Sequence, residues 1–502
     1  MLLILAALAT PARAASLDLL EVGGMWGTPG ATDATALWWN PAGLAVDDTT
    51  TFVAEGAPVL ARIGWERPNP DYGTIDRDNP PDGPDTETYD YSGTQNLEFT
   101  GVVPYLGVHS TFGIPNLGVG IGLAVPYARG GQSDDPDGIG RQNIREGNIT
   151  TIYAMLGAAY DIADVVSIGV TGAFYDNTWD VDVDTEAVTS LRDTTAAQGF
   201  EPTYWQDSDT ESADYMTNLD FDKLKDSGVT FNVGANLHPQ KQWSLAVSYN
   251  HGATLLNRGD VELTFTCPPE SDFLGRGGAS SFGLCDPDTG EGRTIQGTAT
   301  IGYKLPSRIN AGFVLTPIKR VRLELMGAYV MWSAFQDYDI DTTVTADAIE
   351  HALDDEKAQE AADLVSQSRQ WARDNRNTFW IGADGKFKVH KHVLLGARVL
   401  YDRSAVPTTV LSTNNFDANT IALGALVAFK PIKPIDIGLS YGRHIFVTRT
   451  VTDSALGLDI DPEERNADRY FWPNANGTYS GGINRFGISV RGRFGLPGGD
   501  ED

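Results

Sequence analysis

Very short and very long connections alternate along this chain, and this rhythm restricts its fold more than any other feature. Between runs of alternating apolar and polar residues, six connections are tight turns, at 113–116, 161–164, 238–241, 317–320, 390–392 and 430–434. The others are long and rich in Asp, Pro and Gly, at 66–92, 130–145, 183–226, 258–293, 341–375, 404–418 and 450–481. The turns join about twelve strands, and one more at each end gives about fourteen. An even strand number with short turns on one side is the pattern of outer-membrane β-barrels.

Alternation within the strands assigns their faces. In the last predicted strand, Phe486 and Ile488 alternate with Arg485 and Arg491. Lipid cannot accept these arginines, so they are expected to face a polar lumen. A soluble β-sandwich would alternate too, with its apolar faces inward. The turn rhythm, a candidate leader and aromatic residues near strand ends favour the barrel.

Composition permits a membrane barrel and excludes other classes. The 502 residues contain 37 Lys plus Arg and 67 Asp plus Glu, for a net charge of −30. Such an acidic chain is not expected to bind nucleic acid. A mean hydropathy of −0.22 and the lack of any apolar run of about 18 residues argue against helical spans.

The chain begins with a candidate signal peptide, residues 1–14, which ends in the small-residue site Ala12-Arg13-Ala14. It lacks the usual basic first region, which leaves the start codon open, and a buried N-terminal element is the alternative. The expected divisions are the leader, a plug at 15–49, a barrel at 50–494 and a tail at 495–502.

The two cysteines, Cys267 and Cys285, lie in one long loop. In an oxidising compartment they are expected to form a disulfide, worth roughly 3 kcal/mol. No His or further Cys stands at zinc-ligand spacing, and no acidic run has the pattern of a calcium-binding loop. No metal or other cofactor is predicted.

A segment rich in Gly, Thr and Ala, residues 27–45, is apolar but too interrupted for a strand or a long helix. It contains Ala-Leu-Trp-Trp followed by Asn40, Pro41 and Ala42, and alternating strands follow it. In this order the chain resembles the FadL-type outer-membrane transporters of hydrophobic compounds. Further similar stretches occur in matching places, at 102–106, 123–127, 332–335 and 401–407.

The resemblance implies a barrel of about fourteen strands in a Gram-negative outer membrane, plugged by an N-terminal hatch. It implies passive, hatch-gated uptake of long-chain fatty acids or other hydrophobic compounds, with lateral release among outer-membrane lipids. In that family Asn40, Pro41 and Ala42 would face a kinked third strand. A non-enzymatic barrel that escorts or docks secreted proteins is the alternative. No Gly-x-Ser-x-Gly motif accompanies the histidines, so an enzyme is not expected.

Pro126 in the third predicted strand is the candidate kink, and Gly120 and Gly122 are candidates for permitting it. Proline lacks the N–H that a sheet requires and usually lies at strand ends, edges or bulges. Pro126 therefore either interrupts the strand or already lies at its loop end.

Five predicted lumen cations have two interpretations. They could pair with a ligand carboxylate, or they could form a structural network with Glu324, Asp384 and Asp436. The five are Arg322, Lys386, Arg398, Arg485 and Arg491.

Residues 346–373 lack Gly and Pro and have helical periodicity, which predicts one helix in an outer loop. Such a helix would either form part of a hydrophobic landing groove or cap the barrel mouth. The sequence leaves the ligand and the oligomeric state open.

Overall fold

The computed structural model describes most of the chain. The described residues are 21–68, 92–136, 138, 140–141, 143–186, 216–265, 283–286, 288–289, 291–366, 368–456 and 475–495. The predicted leader, Cys267 and all but the first residue of the predicted tail lie outside them. The disulfide between Cys267 and Cys285 therefore stays a prediction.

Nineteen strand segments within the described residues form one antiparallel sheet that closes on itself. β1 pairs with β2 on one side and with β19 on the other, which closes the barrel. The segments are β1 Thr49–Arg67, β2 Gly93–Ser110, β3 Leu117–Ser133, β4 Glu146–Ile162, β5 Val166–Glu186, β6 Met216–Gln240, β7 Trp243–Asn250, β8 Thr254–Phe265, β9 Thr294–Lys304, β10 Arg308–Ile318, β11 Val321–Val330, β12 Asp337–Thr343, β13 Ser368–Ala372, β14 Thr378–His390, β15 Val393–Asp402, β16 Thr420–Ile432, β17 Ile435–Phe446, β18 Arg449–Val451 and β19 Gly477–Gly495.

Five successive pairs of segments are halves of one interrupted strand: β7/β8, β9/β10, β11/β12, β13/β14 and β17/β18. For example, residues 232–240 of β6 pair with β7, and residues 217–225 of β6 pair with β8. Counted in this way, the barrel has 14 strands, and the predicted fold class is confirmed.

The predicted faces also agree with the structure. In β19, Phe486 and Ile488 are exposed on the outer wall, whereas Arg485 and Ser489 are buried in the lumen. No helix among the described residues is long and apolar enough to cross a membrane. The tight turns occur where predicted, but several strands continue into the predicted loops. β6, for instance, begins at Met216 inside the predicted loop 183–226.

Short helices occupy the lumen and the outer loops. They are α1 Ala36–Trp39, α2 Asp355–Val365 and 3-10 helices at Pro41–Ala45, Trp332–Ala334, Ala346–Ala348 and Thr408–Val410.

The prediction of one helix over 346–373 is wrong in its extent. The side chain of Asp354 accepts a hydrogen bond from Lys357 N and so begins α2 eleven residues before its end at Val365. Residues 368–372 form β13 instead, because they pair with β12. The apolar stripe of α2, including Ala361 and Ala362, is buried.

Candidate functional site

The N-terminal segment, defined here as residues 21–48, lies in the barrel lumen with nearly all of its residues buried. Polar side chains of the barrel wall bind the end of its helix α1. Trp38 O accepts hydrogen bonds from Asn232 Nδ2 at 2.7 Å and Asn250 Nδ2 at 3.0 Å. Trp39 O accepts one from Ser248 Oγ at 2.5 Å. These carbonyls have no partner within the helix, so the wall supplies the capping that the short helix lacks.

Asn40 and Pro41 lie against strands β5 and β6. Asn40 Nδ2 donates to Ala235 O at 3.1 Å, and Asn40 Oδ1 accepts from Ala42 N at 3.2 Å. Two paired glycines, Gly169 and Gly234, make room for them. A Cβ on Gly169 would lie 2.5 Å from Pro41 C and Ala42 N, and one on Gly234 would lie 1.9 Å from Asn40 Oδ1.

This position differs from the one that the family resemblance implied, in which these residues face the third strand. Neighbouring residues of the segment contact β3 instead. Leu37 packs over Gly120 and Gly122, where a Cβ would approach its methyl groups to 3.3 and 3.0 Å. Both glycines lie in the part of β3 that is fully paired with β2, so they admit Leu37 to the wall and do not interrupt the strand.

Arg398 binds the beginning of the N-terminal segment. Its guanidinium donates to the carbonyls of Gly24, Met25 and Gly27 at 3.0, 3.2 and 3.1 Å. It also pairs with Asp384 at 3.1 Å, and Lys386 Nζ lies 2.6 Å from the same carboxylate. One buried side chain therefore fixes three backbone carbonyls within residues 24–27 to β15.

The other predicted cations are paired in a similar way. Arg322 binds Glu324 at 2.8 Å and Gly30 O at 2.9 Å, and Glu324 accepts from Gly30 N at 2.8 Å. Arg485 binds Glu55 at 2.8 Å. All five cations thus have a carboxylate partner in the chain itself, and Glu324 and Asp384 are among the predicted partners.

Several contacts of the network reach acidic residues of the N-terminal segment. Arg491 lies 3.5 Å from Asp33 and 3.0 Å from Asp436, the third predicted partner. Glu21 lies 3.4 Å from His444. Burial alone would raise the pKa of Glu21, but the His444 hydrogen bond and the Arg485 charge lower it well below its usual value. Glu21 is therefore ionised and held to the wall by charge.

Strand β3 contains a bulge at Val125 and Pro126. Before it, Ala124 pairs with Tyr153 of β4; after it, Tyr127 pairs with Thr151, so β3 has one extra residue. Pro126 lies in the middle of β3, and the interpretation that places it at the loop end of the strand is wrong.

The same extra residue separates β3 from β2. Pairing between them stops at Tyr105 with Ala124 and resumes at Glu98 with Gln132. Between these points, residues 99–104 of β2 and 125–131 of β3 do not pair with each other, and we call this stretch the lateral gap. Its outer side is the lipid-facing wall, and Phe99 packs against Gly131 on its inner side.

The bulge also reverses which side chains face inward, because one extra residue shifts the alternation by one. Ile121 is exposed on the outer wall, whereas Tyr127, of the same parity, is buried in the lumen. There Tyr127 meets Trp38 edge-on at 6.2 Å between ring centroids. The guanidinium of Arg308 lies 5.6 Å from the Trp38 ring and 5.9 Å from the Tyr127 ring. The N-terminal segment, β3 and β10 thus meet at one buried cluster beside the lateral gap.

A cleft lies near the outer ends of the strands, and Arg129, on the β3 side of the lateral gap, forms part of its wall. Burial raises the pKa of the Asp417 carboxyl, which accepts a hydrogen bond from Ala405 N at 2.7 Å. The lining combines aromatic, apolar and charged side chains: Arg129, Val330, Trp332, Phe335, Asn375, Thr378, Asp402, Arg403, Ala405, Val406, Asn415, Phe416 and Asp417.

Sequence reasoning missed several residues of this site. If β3 is assumed to be regular, the side chains of Arg129 and Tyr127 are predicted to face outward. Only Pro126 could indicate that they face the lumen instead. Gly169 and Gly234 gave no signal, because their role depends on which strands lie side by side.

A closed antiparallel barrel with a segment of the chain packed in its lumen defines a class of outer-membrane transport proteins. The chain belongs to one such family, described as outer membrane protein transport protein (OMPP1/FadL/TodX), whose model matches residues 7–470. The protein is therefore an outer-membrane transport protein and not an enzyme. No curated protein matches the chain.

Solved structures with the same fold are distant in sequence. A FadL homologue from Pseudomonas aeruginosa is 16% identical with a TM-score of 0.67, over 97% of this chain and 99% of that one. The toluene transporter TodX from P. putida is 11% identical with a TM-score of 0.60, over 92% and 94%. The monoaromatic hydrocarbon channel CymD is 11% identical with a TM-score of 0.57, over 92% and 93%. At these identities the likeness supports the fold alone.

Proposed function

We propose that this protein takes up hydrophobic compounds by passive diffusion and releases them sideways into the outer membrane through the lateral gap. The observation that carries this proposal is the bulge at Pro126, which leaves β2 and β3 unpaired in the middle of the barrel wall. The ligand class would be long-chain fatty acids or hydrocarbons. The toluene and monoaromatic channels with the same fold are named for cargo of this kind.

A sideways route suits such cargo physically. Each methylene group that leaves an apolar surface for water costs about 0.8 kcal/mol. A ligand that passes from the cleft beside Arg129 to the gap would avoid the aqueous periplasm altogether. The wall beside the gap is apolar, since Val103 and Phe99 are among its buried residues.

In this proposal the N-terminal segment is part of a hatch spanning 15–49. Asn40, Pro41 and Ala42 would set its position through the glycine pair on β5 and β6, and Leu37 would connect it to β3 at Gly120 and Gly122. Movement of the segment would then disturb the Trp38, Tyr127 and Arg308 cluster and change access to the gap.

We further propose that the five lumen cations fasten the hatch and do not receive a ligand carboxylate. The guanidinium groups of Arg398 and Arg322 donate hydrogen bonds to backbone carbonyls of the N-terminal segment and pair with buried carboxylates. Replacing such a pairing with a ligand would leave a buried carboxylate such as Asp384 or Glu324 without part of its partner set, which is costly.

The test is uptake by cells that lack the native protein and carry variants at Pro126. Deleting Pro126 makes β3 regular and brings it into continuous register with both β2 and β4, so the gap closes. Pro126→Ala keeps the extra residue and is the matched control. We expect uptake of a radiolabelled fatty acid or of toluene to be lost in the deletion and largely kept in the substitution.

Equal uptake by the deletion variant and the native protein would contradict lateral release, provided both barrels are folded. Native mass spectrometry of the purified protein would identify the cargo. A co-purified hydrophobic molecule supports transport, whereas an empty barrel that retains a secreted protein on its outer loops supports escort.

A further inference from the structure

Lysine residues of this acidic protein are concentrated at one end of the barrel. The chain has eleven lysines, and five of them lie with Arg320 in or beside four tight turns. Short turns of outer-membrane barrels face the periplasm. We call these six residues the basic rim: Lys241, Lys319, Arg320, Lys391, Lys430 and Lys433.

The four turns are neighbours on the barrel. They connect β6 to β7, β10 to β11, β14 to β15 and β16 to β17, and β7 pairs with β10, β11 with β14 and β15 with β16. The basic rim is therefore one continuous arc. The turns at 111–116 and 161–165, on the other side, contain no Lys or Arg, and the second contains Asp161 and Asp164.

The charge of the arc is hardly neutralised. None of the four turns contains Asp or Glu. Lys430 lies 4.0 Å from Asp436, while the other five cations make no ion pair within the residues that the structure describes. All five are exposed.

Apolar side chains stand directly next to these cations on the outer wall. Ile318 and Ile432 are 57% and 62% exposed, and Phe387 and Phe429 are about half exposed. The cations thus lie at the boundary where the lipid-facing wall meets water. A soluble acidic protein would bind the charges alone, whereas a lipid would use the charges and the wall together.

We propose that the basic rim binds anionic phospholipids of the periplasmic leaflet, with phosphates on the cations and acyl chains along the wall. Basic residues close to a membrane surface attract anionic lipids in this way, and salt weakens the attraction. The binding orients and anchors this side of the barrel, and it does not depend on what the lumen transports.

The experiment is native mass spectrometry of the full-length protein after equilibration with equal amounts of phosphatidylglycerol and phosphatidylcholine. The rim variant carries Lys319→Glu, Arg320→Glu, Lys391→Glu and Lys433→Glu. The matched control reverses four exposed cations of the opposite end, by Arg62→Glu, Lys223→Glu, Lys225→Glu and Arg258→Glu. Heat-modifiable migration on gels checks that each barrel is folded.

We expect the native protein and the control to retain phosphatidylglycerol over phosphatidylcholine by about tenfold or more, because several basic residues act together. The rim variant should retain both lipids equally, and high salt should remove the preference of the native protein. Equal retention by the native protein overturns the proposal. So does a preference that survives in the rim variant, or one that the control loses to the same degree.

Discussion

Replacing Arg398 by Gln is expected to loosen the beginning of the N-terminal segment without unfolding the barrel. Arg398 donates to three carbonyls of the segment, and its side chain is 1% exposed. Asp384 keeps Lys386 at 2.6 Å, so the variant does not leave that carboxylate unpaired. Within the segment, the variant loses these three hydrogen bonds and the 4.0 Å contact between Arg398 and Glu21.

The magnitude follows from the donor's charge and burial. A hydrogen bond from a charged donor contributes about 1.5–3 kcal/mol, but water can replace part of it once the segment moves. A net loss of about 3 kcal/mol corresponds to roughly a hundredfold rise in the population of the displaced segment.

Hydrogen–deuterium exchange measures this population at the amides of Gly24 and Gly27, which donate to Glu21 O and Gly23 O. We expect their exchange to accelerate by about a hundredfold, within the range of local opening equilibria. Arg62→Gln is the control, because Arg62 is exposed on the outer wall with its side chain 61% exposed. Unchanged protection of Gly24 and Gly27 in a folded Arg398→Gln barrel would show that Arg398 does not hold the N-terminal segment in place.

Three further predictions concern other contacts. Gly169→Ala should displace residues 40–42, since its Cβ meets backbone atoms at 2.5 Å, and should speed amide exchange at Ala42 by about tenfold or more. The control Gly172→Ala, whose Cβ would have nothing within 4 Å, should leave this exchange unchanged. Equal exchange in both variants would show that Gly169 does not make room for residues 40–42. Arg308→Gln should destabilise the barrel by about 1–3 kcal/mol in urea unfolding from vesicles, since two ring contacts are lost; a change within about 0.5 kcal/mol, the range of ordinary surface substitutions, would show that the stacking contributes little. Alkylation of the denatured, unreduced protein should label neither Cys267 nor Cys285, and labelling of either before reduction would rule out their disulfide.

The barrel could be predicted because its determinants are local. Period-two alternation places Ile488 and Arg485 on opposite faces whatever the neighbouring strand is, and tight turns fix which strands are adjacent. The pairing of Arg322 with Glu324 was also predictable, because the two lie on one face of one strand.

Other features depend on partners far away in the sequence. Residues 368–372 have helical propensity but pair with β12, which overrides it. The bulge adds one residue to β3 relative to both neighbours, and such a register change is visible only when three strands are placed side by side. Asn40 and Pro41 contact β5 and β6 because two glycines happen to be paired there, nearly 130 and 195 residues away along the chain.

Photolabelling would show whether cargo leaves through the lateral gap. The protein in lipid vesicles would be supplied with a diazirine-bearing hydrocarbon, irradiated, and mapped by mass spectrometry. We expect labels on residues 99–104 and 125–131 of the native protein and of Pro126→Ala, and none there when Pro126 is deleted. Labels confined to the lumen and the periplasmic turns, with the gap residues unmodified in every variant, would contradict lateral release.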